Sequence, residues 1–208
     1  MKISYAITVC NELEEIKRLL PFLKDNKRPD DEIVILFDGK KGTQEVLDYL
    51  LKFNKYPNVQ TWRSNFDGHF GNWKNKLTSY CKGDIIFQID ADEQIPKDMV
   101  DLLPALIEEN PEIDVFLVPR INLVEGLTEE HIKKWGWQLN SRGWVNFPDY
   151  QRRIYKNHPN IKWINKVHET LIGYQKWATL PKEDNWCLLH SKNIKKQEEQ
   201  NHTYSSYV

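Results

Sequence analysis

An apolar run that ends in acids constrains this chain more than any other segment. Ile85-Ile86-Phe87-Gln88-Ile89 leads straight into Asp90-Ala91-Asp92-Glu93. A run broken only by Gln88 reads as a buried, parallel strand. Open α/β sheets hold their ligands at the carboxyl ends of such strands. Two acids two positions apart on a turning chain can point at one hard cation, and that cation can carry a diphosphate. The plain alternative is a polar turn that starts the next helix, since Pro96 and Asp98 open one.

The first 120 residues alternate strand and helix patterns. Ile3 to Val9 reads as a strand, and Asn11 is placed to cap the helix after it, whose stripe is Ile16, Leu19, Leu20 and Leu23. Glu32 to Phe37 reads as a second strand, ended by Asp38-Gly39. Val46, Leu47, Leu50, Leu51 and Phe53 mark a second helix, Val59 to Trp62 a third strand, and Trp73 to Tyr80 a short helix. Met99, Leu102, Leu103, Leu106 and Ile107 form another stripe before a strand at Val115 to Val118. Such alternation implies right-handed crossovers and an α/β fold with a mostly parallel central sheet covered by helices on both faces. The loops carrying Asn11-Glu12, Asp38-Gly39 and Asp90-Ala91-Asp92 then open on one edge and form one candidate site.

After Pro119 the rhythm changes. A weak helical pattern spans Glu129 to Leu139, Gln151 to Tyr155 and Val167 to Ile172 read as strands, and Trp186 to Leu189 runs to His190. A Lys/Glu/Gln-rich surface helix is expected from Ser191. No repeat or long linker divides the chain, and 208 residues bury one substantial core. With 29 Lys and Arg against 30 Asp and Glu, nothing points to a nucleic-acid partner. Cys10, Cys81 and Cys187 are odd in number and sit in apolar settings, as reduced core residues do. No cleavage signal and no segment of membrane-span length is present, so a cytoplasmic protein, at most peripheral at a membrane surface, is expected.

Over nearly its whole length the chain resembles the inverting glycosyltransferases of family 2, which have a GT-A fold. Ile7-Thr8-Val9-Cys10-Asn11-Glu12 is similar to the family's first-strand signature. Glu32-Ile33-Val34-Ile35-Leu36-Phe37-Asp38-Gly39 is similar to the second, with Phe37 where many members carry another acid. Trp73-Lys74-Asn75-Lys76-Leu77 followed by Gly83-Asp84 and the run to Glu93 resembles the central block with its Asp-x-Asp (DXD) motif. Val167-His168-Glu169 and His190 resemble the small bacterial lipopolysaccharide-core type.

The resemblance implies one GT-A domain over 1–208, in which 1–120 binds the nucleotide sugar, 121–190 forms the acceptor side and 191–208 is a tail. It implies a nucleoside diphosphate sugar donor, UDP-sugars favoured by family frequency, a hydroxyl acceptor such as a glycan, and Mn2+ or Mg2+. Asp90 and Asp92 are the expected metal ligands, with His190 completing the set, and its imidazole tilts the choice towards Mn2+. Thr8, Asn11, Glu12, Asp38, Lys74, Asp90 and Ala91 are candidate donor contacts. Glu169 leads as the general base, with His168 and Asp149 as alternatives. Trp137 and Trp144 are candidate acceptor contacts, and Arg120, Arg152 and Arg153 are alternative diphosphate or acceptor contacts, because guanidinium groups suit paired oxyanions. The ordinary readings are a solvated Glu169 paired with Lys166, and tryptophans that simply pack. The turn at Asn11-Glu12-Leu13 lacks the glycines of a dinucleotide site. A nucleotidyltransferase, or a non-catalytic nucleotide-sugar or carbohydrate-binding module, uses the same strand-end acids.

Overall fold

The computed structural model describes residues 1–205. In chain order its elements are β1 (Ile3–Val9), α1 (Leu13–Asn26), β2 (Glu32–Asp38), α2 (Gln44–Phe53), β3 (Val59–Ser64), α3 (Phe70–Tyr80) and β4 (Ile85–Asp90). Then follow β5 (Glu93–Gln94), α4 (Lys97–Glu109), β6 (Val115–Val118), β7 (Arg120–Glu125) and α5 (Glu129–Trp135). The remainder is β8 (Gln151–Lys156), β9 (Lys162–Ile164), β10 (Thr170–Ile172), β11 (Trp177–Thr179), β12 (Leu188–Asn193) and α6 (Ile194–Ser205).

Seven strands form the main sheet in the order β11-β6-β8-β4-β1-β2-β3. Every pairing is parallel except those of β8, which runs antiparallel to both β4 and β6. The strands alternate faces residue by residue, as the two-residue period of a strand requires. Ile3, Tyr5, Ile7 and Val9 of β1, with Ile33, Ile35 and Phe37 of β2, enter one core. There they meet the stripes of α1 (Ile16, Leu19, Leu20, Leu23), α2 (Val46, Leu47, Leu50, Phe53) and α4 (Met99, Val100, Leu103, Ile107). Ala6, Val34, Leu36 and Ile86 enter the opposite core, with Trp73 and Leu77 of α3, Trp163 of β9 and Leu171 of β10. Each fully buried aliphatic side chain contributes about 1.5–3 kcal/mol, so a sheet apolar on both faces demands helices on both.

Several expectations are corrected. Asn11 is exposed and does not cap α1; Glu12 holds the cap position and makes no forward side-chain bond. Its carboxylate instead turns back to accept from the Cys10 and Asn11 amides at 2.7 and 3.0 Å. The helix expected from Trp73 starts at Phe70, with His69 as its cap. The pattern from Glu129 to Leu139 yields a helix only to Trp135, because Gly136 turns left-handed at φ 64°. The strand expected over Val167 to Ile172 exists only at Thr170–Ile172, since His168 sits in a turn at φ 52°. Three strands, β5, β12 and β7, form a second small sheet, and β7 carried no clear strand signal. All three cysteines are free, Cys81 and Cys187 buried and Cys10 partly so.

Candidate active site

The parallel register sets the rim. Thr8 is paired with Asp90 on one side and Leu36 on the other, so β1, β2 and β4 end together. Asp90 closes β4 with its side chain about one third exposed (34%). Behind it lies a buried ionic network. Arg153 of β8 donates to both Asp90 and Glu93. Arg120 adds a bond to Glu93 at 3.2 Å, and Glu93 itself, 1% exposed, accepts the Asp90 amide at 3.0 Å. Burial alone would raise the Asp90 carboxyl, yet Arg153 and then Lys74 hold it well below the usual carboxylate range. The same two acids drive the Arg153 guanidinium further up against its burial.

The small sheet delivers the far end of the chain. His190 of β12 lies in register with Glu93 of β5 on one side and Asn122 of β7 on the other. Directly opposite residues share a face, so Glu93, His190 and Asn122 form one row beside Asp92. His190 is buried; its Nδ1 is 2.9 Å from Asn122 Oδ1 and its Nε2 is 3.4 Å from Asp92 Oδ2. Lys196 of α6 reaches the same Asp92 oxygen at 3.4 Å and donates to Glu15 at 3.1 Å. Against burial, the neighbouring His190 and the Lys196 charge hold the Asp92 carboxyl well below its ordinary value. Burial pushes the nearby Lys192 ammonium down to about 8. A cleft beside this cluster is lined by Asn11, Glu12, Glu15, Asn193, Lys195 and Lys196.

A third group comes from α3 and the β9–β10 turn. The first amides of a helix have no partner within it; here Phe70 and Gly71 donate to the carbonyls of Lys166 and Asn165 at 2.9 and 3.1 Å. Asn75 clasps the Trp163 backbone at both its amide and its carbonyl. The turn is thereby fixed over α3, and Glu169 meets Lys74 at 2.5 Å. Lys74 is buried, 4.6 Å above the Trp163 ring, and its Nζ lies 4.0 Å from Asp90 Oδ1. One ammonium thus links the leading base candidate to the acid rim.

Glycosyl transferase family 2 is the family model that fits the chain, and it matches residues 4–170. That is most of the chain. The chain belongs to glycosyl transferase family 2. Among solved structures, S. aureus TarS 1-349 in complex with UDP-GlcNAc superposes with TM-score 0.67 at 18% identity, over 92% of this chain and 59% of that one. TarS 1-349 in complex with UDP gives TM-score 0.66 at 17% identity, over 100% and 65%. A longer S. aureus TarS structure gives 0.59 at 19%, over 86% and 37%. At such identities the likeness shows a shared GT-A-like fold, and the chain spans about three fifths of the first TarS fragment's length. No curated protein sequence matches the chain. No helix among the described residues is long and apolar enough to cross a membrane.

Within this family 2 domain the residues singled out from sequence are not all brought together. Thr8, Glu12, Asp90, Ala91, Asp92 and His190 gather at the rim, with Asn11 lining the adjoining cleft. Asp38 is buried 28 positions away in sequence from Phe66, whose amide it accepts at 3.1 Å together with that of Lys40 at 2.9 Å, so one of its oxygens is committed to loop structure. Its other oxygen lies 4.0 Å from the Cys10 thiol, which burial pushes up to about 11. Glu169 pairs with Lys74. His168 is exposed. Trp144 is buried against Ile121 and Cys187 with the Arg142 guanidinium 4.0 Å over its ring, so its surface is spent on packing. Trp137 is half-buried against Trp135, ring centroids 4.6 Å apart. Arg152 lies beside Leu117 on β8 with its buried Nε unpartnered. Arg120 and Arg153, guanidinium candidates for diphosphate or acceptor contact, are instead bonded to Glu93, Asp149 and Asp90, while Glu93 and Asn122 were not foreseen. The one available signal was Glu93 following two acids at a strand end, and a turn acid does not reveal its own burial.

Proposed function

We propose that this domain is a metal-dependent, inverting glycosyltransferase that moves a sugar from a nucleoside diphosphate sugar to a hydroxyl acceptor. The observation that carries the reading is the meeting of Asp92 and His190 at the rim where β1, β2 and β4 end, 3.4 Å apart between Oδ2 and Nε2. Among the described residues no three His, Cys, Asp or Glu side chains converge as a cage for a metal ion. A carboxylate and an imidazole alone fit an ion that also binds the donor's phosphate oxygens, as hard cations at nucleotide sites do. Imidazole beside oxygen favours Mn2+. When bound, the ion would neutralise charge developing on the departing diphosphate.

The remaining duties fall to the chain's own groups. Asp90 is bonded to Arg153 and faces Lys74, so it supports the rim as an orienting anion rather than an open ligand. In this reading Glu169 takes the acceptor's proton; its side chain is 20% exposed and paired with Lys74, which fixes its orientation. The acceptor oxygen bonds to the anomeric carbon as the bond to the diphosphate breaks on the opposite face, inverting the configuration. UDP-sugars are the favoured donors, because a protein of this fold binds UDP and UDP-GlcNAc. A glycan hydroxyl is the acceptor we favour.

The test is a thermal-shift panel of nucleotide sugars with and without Mn2+, followed by mass spectrometry of donor hydrolysis and NMR of the product anomer. Asp92→Asn should lose the Mn2+-dependent shift. Unchanged Mn2+ and donor affinity in that variant would overturn the metal assignment, and a new phosphodiester product would make the chain a nucleotidyltransferase instead.

A further inference from the structure

Asp149 was a candidate base on sequence, yet its carboxylate is fully engaged. Oδ2 accepts from Arg120 Nε at 3.0 Å, Arg120 Nη2 at 2.7 Å and Asn122 Nδ2 at 2.8 Å, while Oδ1 accepts from Gln151 Nε2 at 2.6 Å. An ionised carboxylate only accepts hydrogen bonds. Asn122 must therefore turn its NH2 group to Asp149, and its carbonyl oxygen is left facing His190 Nδ1 at 2.9 Å. A carbonyl oxygen also only accepts, so Nδ1 carries the hydrogen. A neutral imidazole has one N–H. Its Nε2 lone pair then points at Asp92 Oδ2, 3.4 Å away, beyond ordinary hydrogen-bond length. Two electron-pair donors held at that spacing want a cation, and in the metal-free protein the Lys196 ammonium, 3.4 Å from the same Asp92 oxygen, supplies the nearest one.

The backbone builds this chain of contacts. Asn122 and His190 are register partners on β7 and β12, and Arg120 lies two residues before Asn122 on β7, on the same side of the strand. Arg120 is itself tied to Glu93, the other register partner of His190. We propose that Asp149 and Asn122 are positioning residues that hold His190 as its Nδ1–H tautomer, leaving Nε2 bare towards Asp92 for a shared divalent cation. The cation clause rests on the metal reading above; the tautomer clause does not. Partners of this kind, one step behind a metal-ligating histidine, typically change metal affinity roughly 10- to 100-fold when removed.

The experiment uses the full chain, metal-free and labelled with 15N-histidine, at about pH 8.5, roughly two units above the ordinary histidine value. Long-range 1H–15N spectra distinguish the protonated from the bare ring nitrogen, and the loss of signals in His190→Ala identifies the residue. Wild type should show Nδ1 protonated and Nε2 bare; the opposite tautomer would overturn the proposal without any further variant. Asp149→Asn frees the Asn122 amide to flip, and should raise the Nε2–H population and weaken Mn2+ binding, read by electron paramagnetic resonance, roughly 10- to 100-fold. Asn122→Ala should do the same and serves if Asp149→Asn does not fold. Asp149→Asn that abolishes transfer while keeping the wild-type tautomer and Mn2+ affinity would overturn the proposal and return Asp149 to the role of base. Wild type with Nδ1–H but no Mn2+ binding would uphold the positioning and sink the metal reading instead.

Discussion

At the scale of single residues, the site is a contest between burial and pairing. Arg153 is 2% exposed and holds two acids, Asp90 and Glu93. Replacing it with an apolar residue leaves, among the described residues, only Arg120 at 3.2 Å as ion-pair partner for Glu93 and only Lys74 at 4.0 Å for Asp90, and breaking a buried pair by removing one partner costs about 3–5 kcal/mol. Arg153→Met should therefore lower unfolding free energy by about that amount in urea titrations; a loss within error would mean that solvent already screens the network. Glu169→Gln belongs to the opposite class. Its carboxylate is partly exposed but is the close partner of the buried Lys74; the glutamine carbonyl can still accept from that ammonium, so we expect a modest loss in melting, unchanged donor binding, and a fall in transfer of about 10²–10⁴-fold, the usual contribution of a positioned base. Full transfer by that variant removes Glu169 from the reaction. Asp90 and Asp92 were legible because an apolar strand points at them. Glu93 was not, because its burial depends on Arg153, which arrives 60 residues later.

At the scale of elements, strands and helices with a clean period were readable and those without one were not. The stripes of α1, α2 and α4 fall where apolar spacing put them. β7 reads Arg-Ile-Asn-Leu-Val-Glu, and its Arg120 and Asn122 face a network instead of solvent, so alternation gave no warning of that role. The turn from Asn165 to Glu169 contains no glycine or proline; Asn165 at φ 74° and His168 at φ 52° make it, held by the first amides of α3. Asp114 offers a test of how loops and strands are tied. It accepts Lys156 of β8 at 2.9 Å and the amides of Gln175 and Lys176 at 2.9 and 3.1 Å, just ahead of β11. Despite the burial that would raise it, those bonds hold its carboxyl down at about 2, below the ordinary 3.8. A depressed carboxyl stabilises the fold fully above its ordinary value, and that stability is lost as pH falls from about 4 through about 2. Asp114→Asn should cost on the order of 1 kcal/mol at neutral pH, after allowing for the solvent around Lys156. It should also flatten the stability curve between those two pH values. An acid limb identical to wild type would show that other groups set it.

At the scale of the molecule, the family resemblance and the βα rhythm of the first 120 residues conveyed the class of fold, because parallel sheets leave few ways to connect. They did not convey that β8 runs between β4 and β6, since antiparallel insertion leaves no mark in a short strand's composition. The consequence is measurable. Among the described residues β6 pairs with β8 and β11 alone, both contributed from beyond residue 150. A fragment ending at residue 120 would keep Asp90 and Glu93 without Arg153 and leave β6 unpaired. We expect it to show no cooperative unfolding transition by circular dichroism, and a sharp transition would mean that the first half is self-sufficient.

The same threading bears on how the chain is made. As it leaves the ribosome, β4 keeps one bare flank from residue 90 until residue 156 has emerged. Naked strand flanks recruit other chains, so the hazardous interval of synthesis falls in the middle of translation, and chaperone occupancy should peak there and drop once β8 has docked.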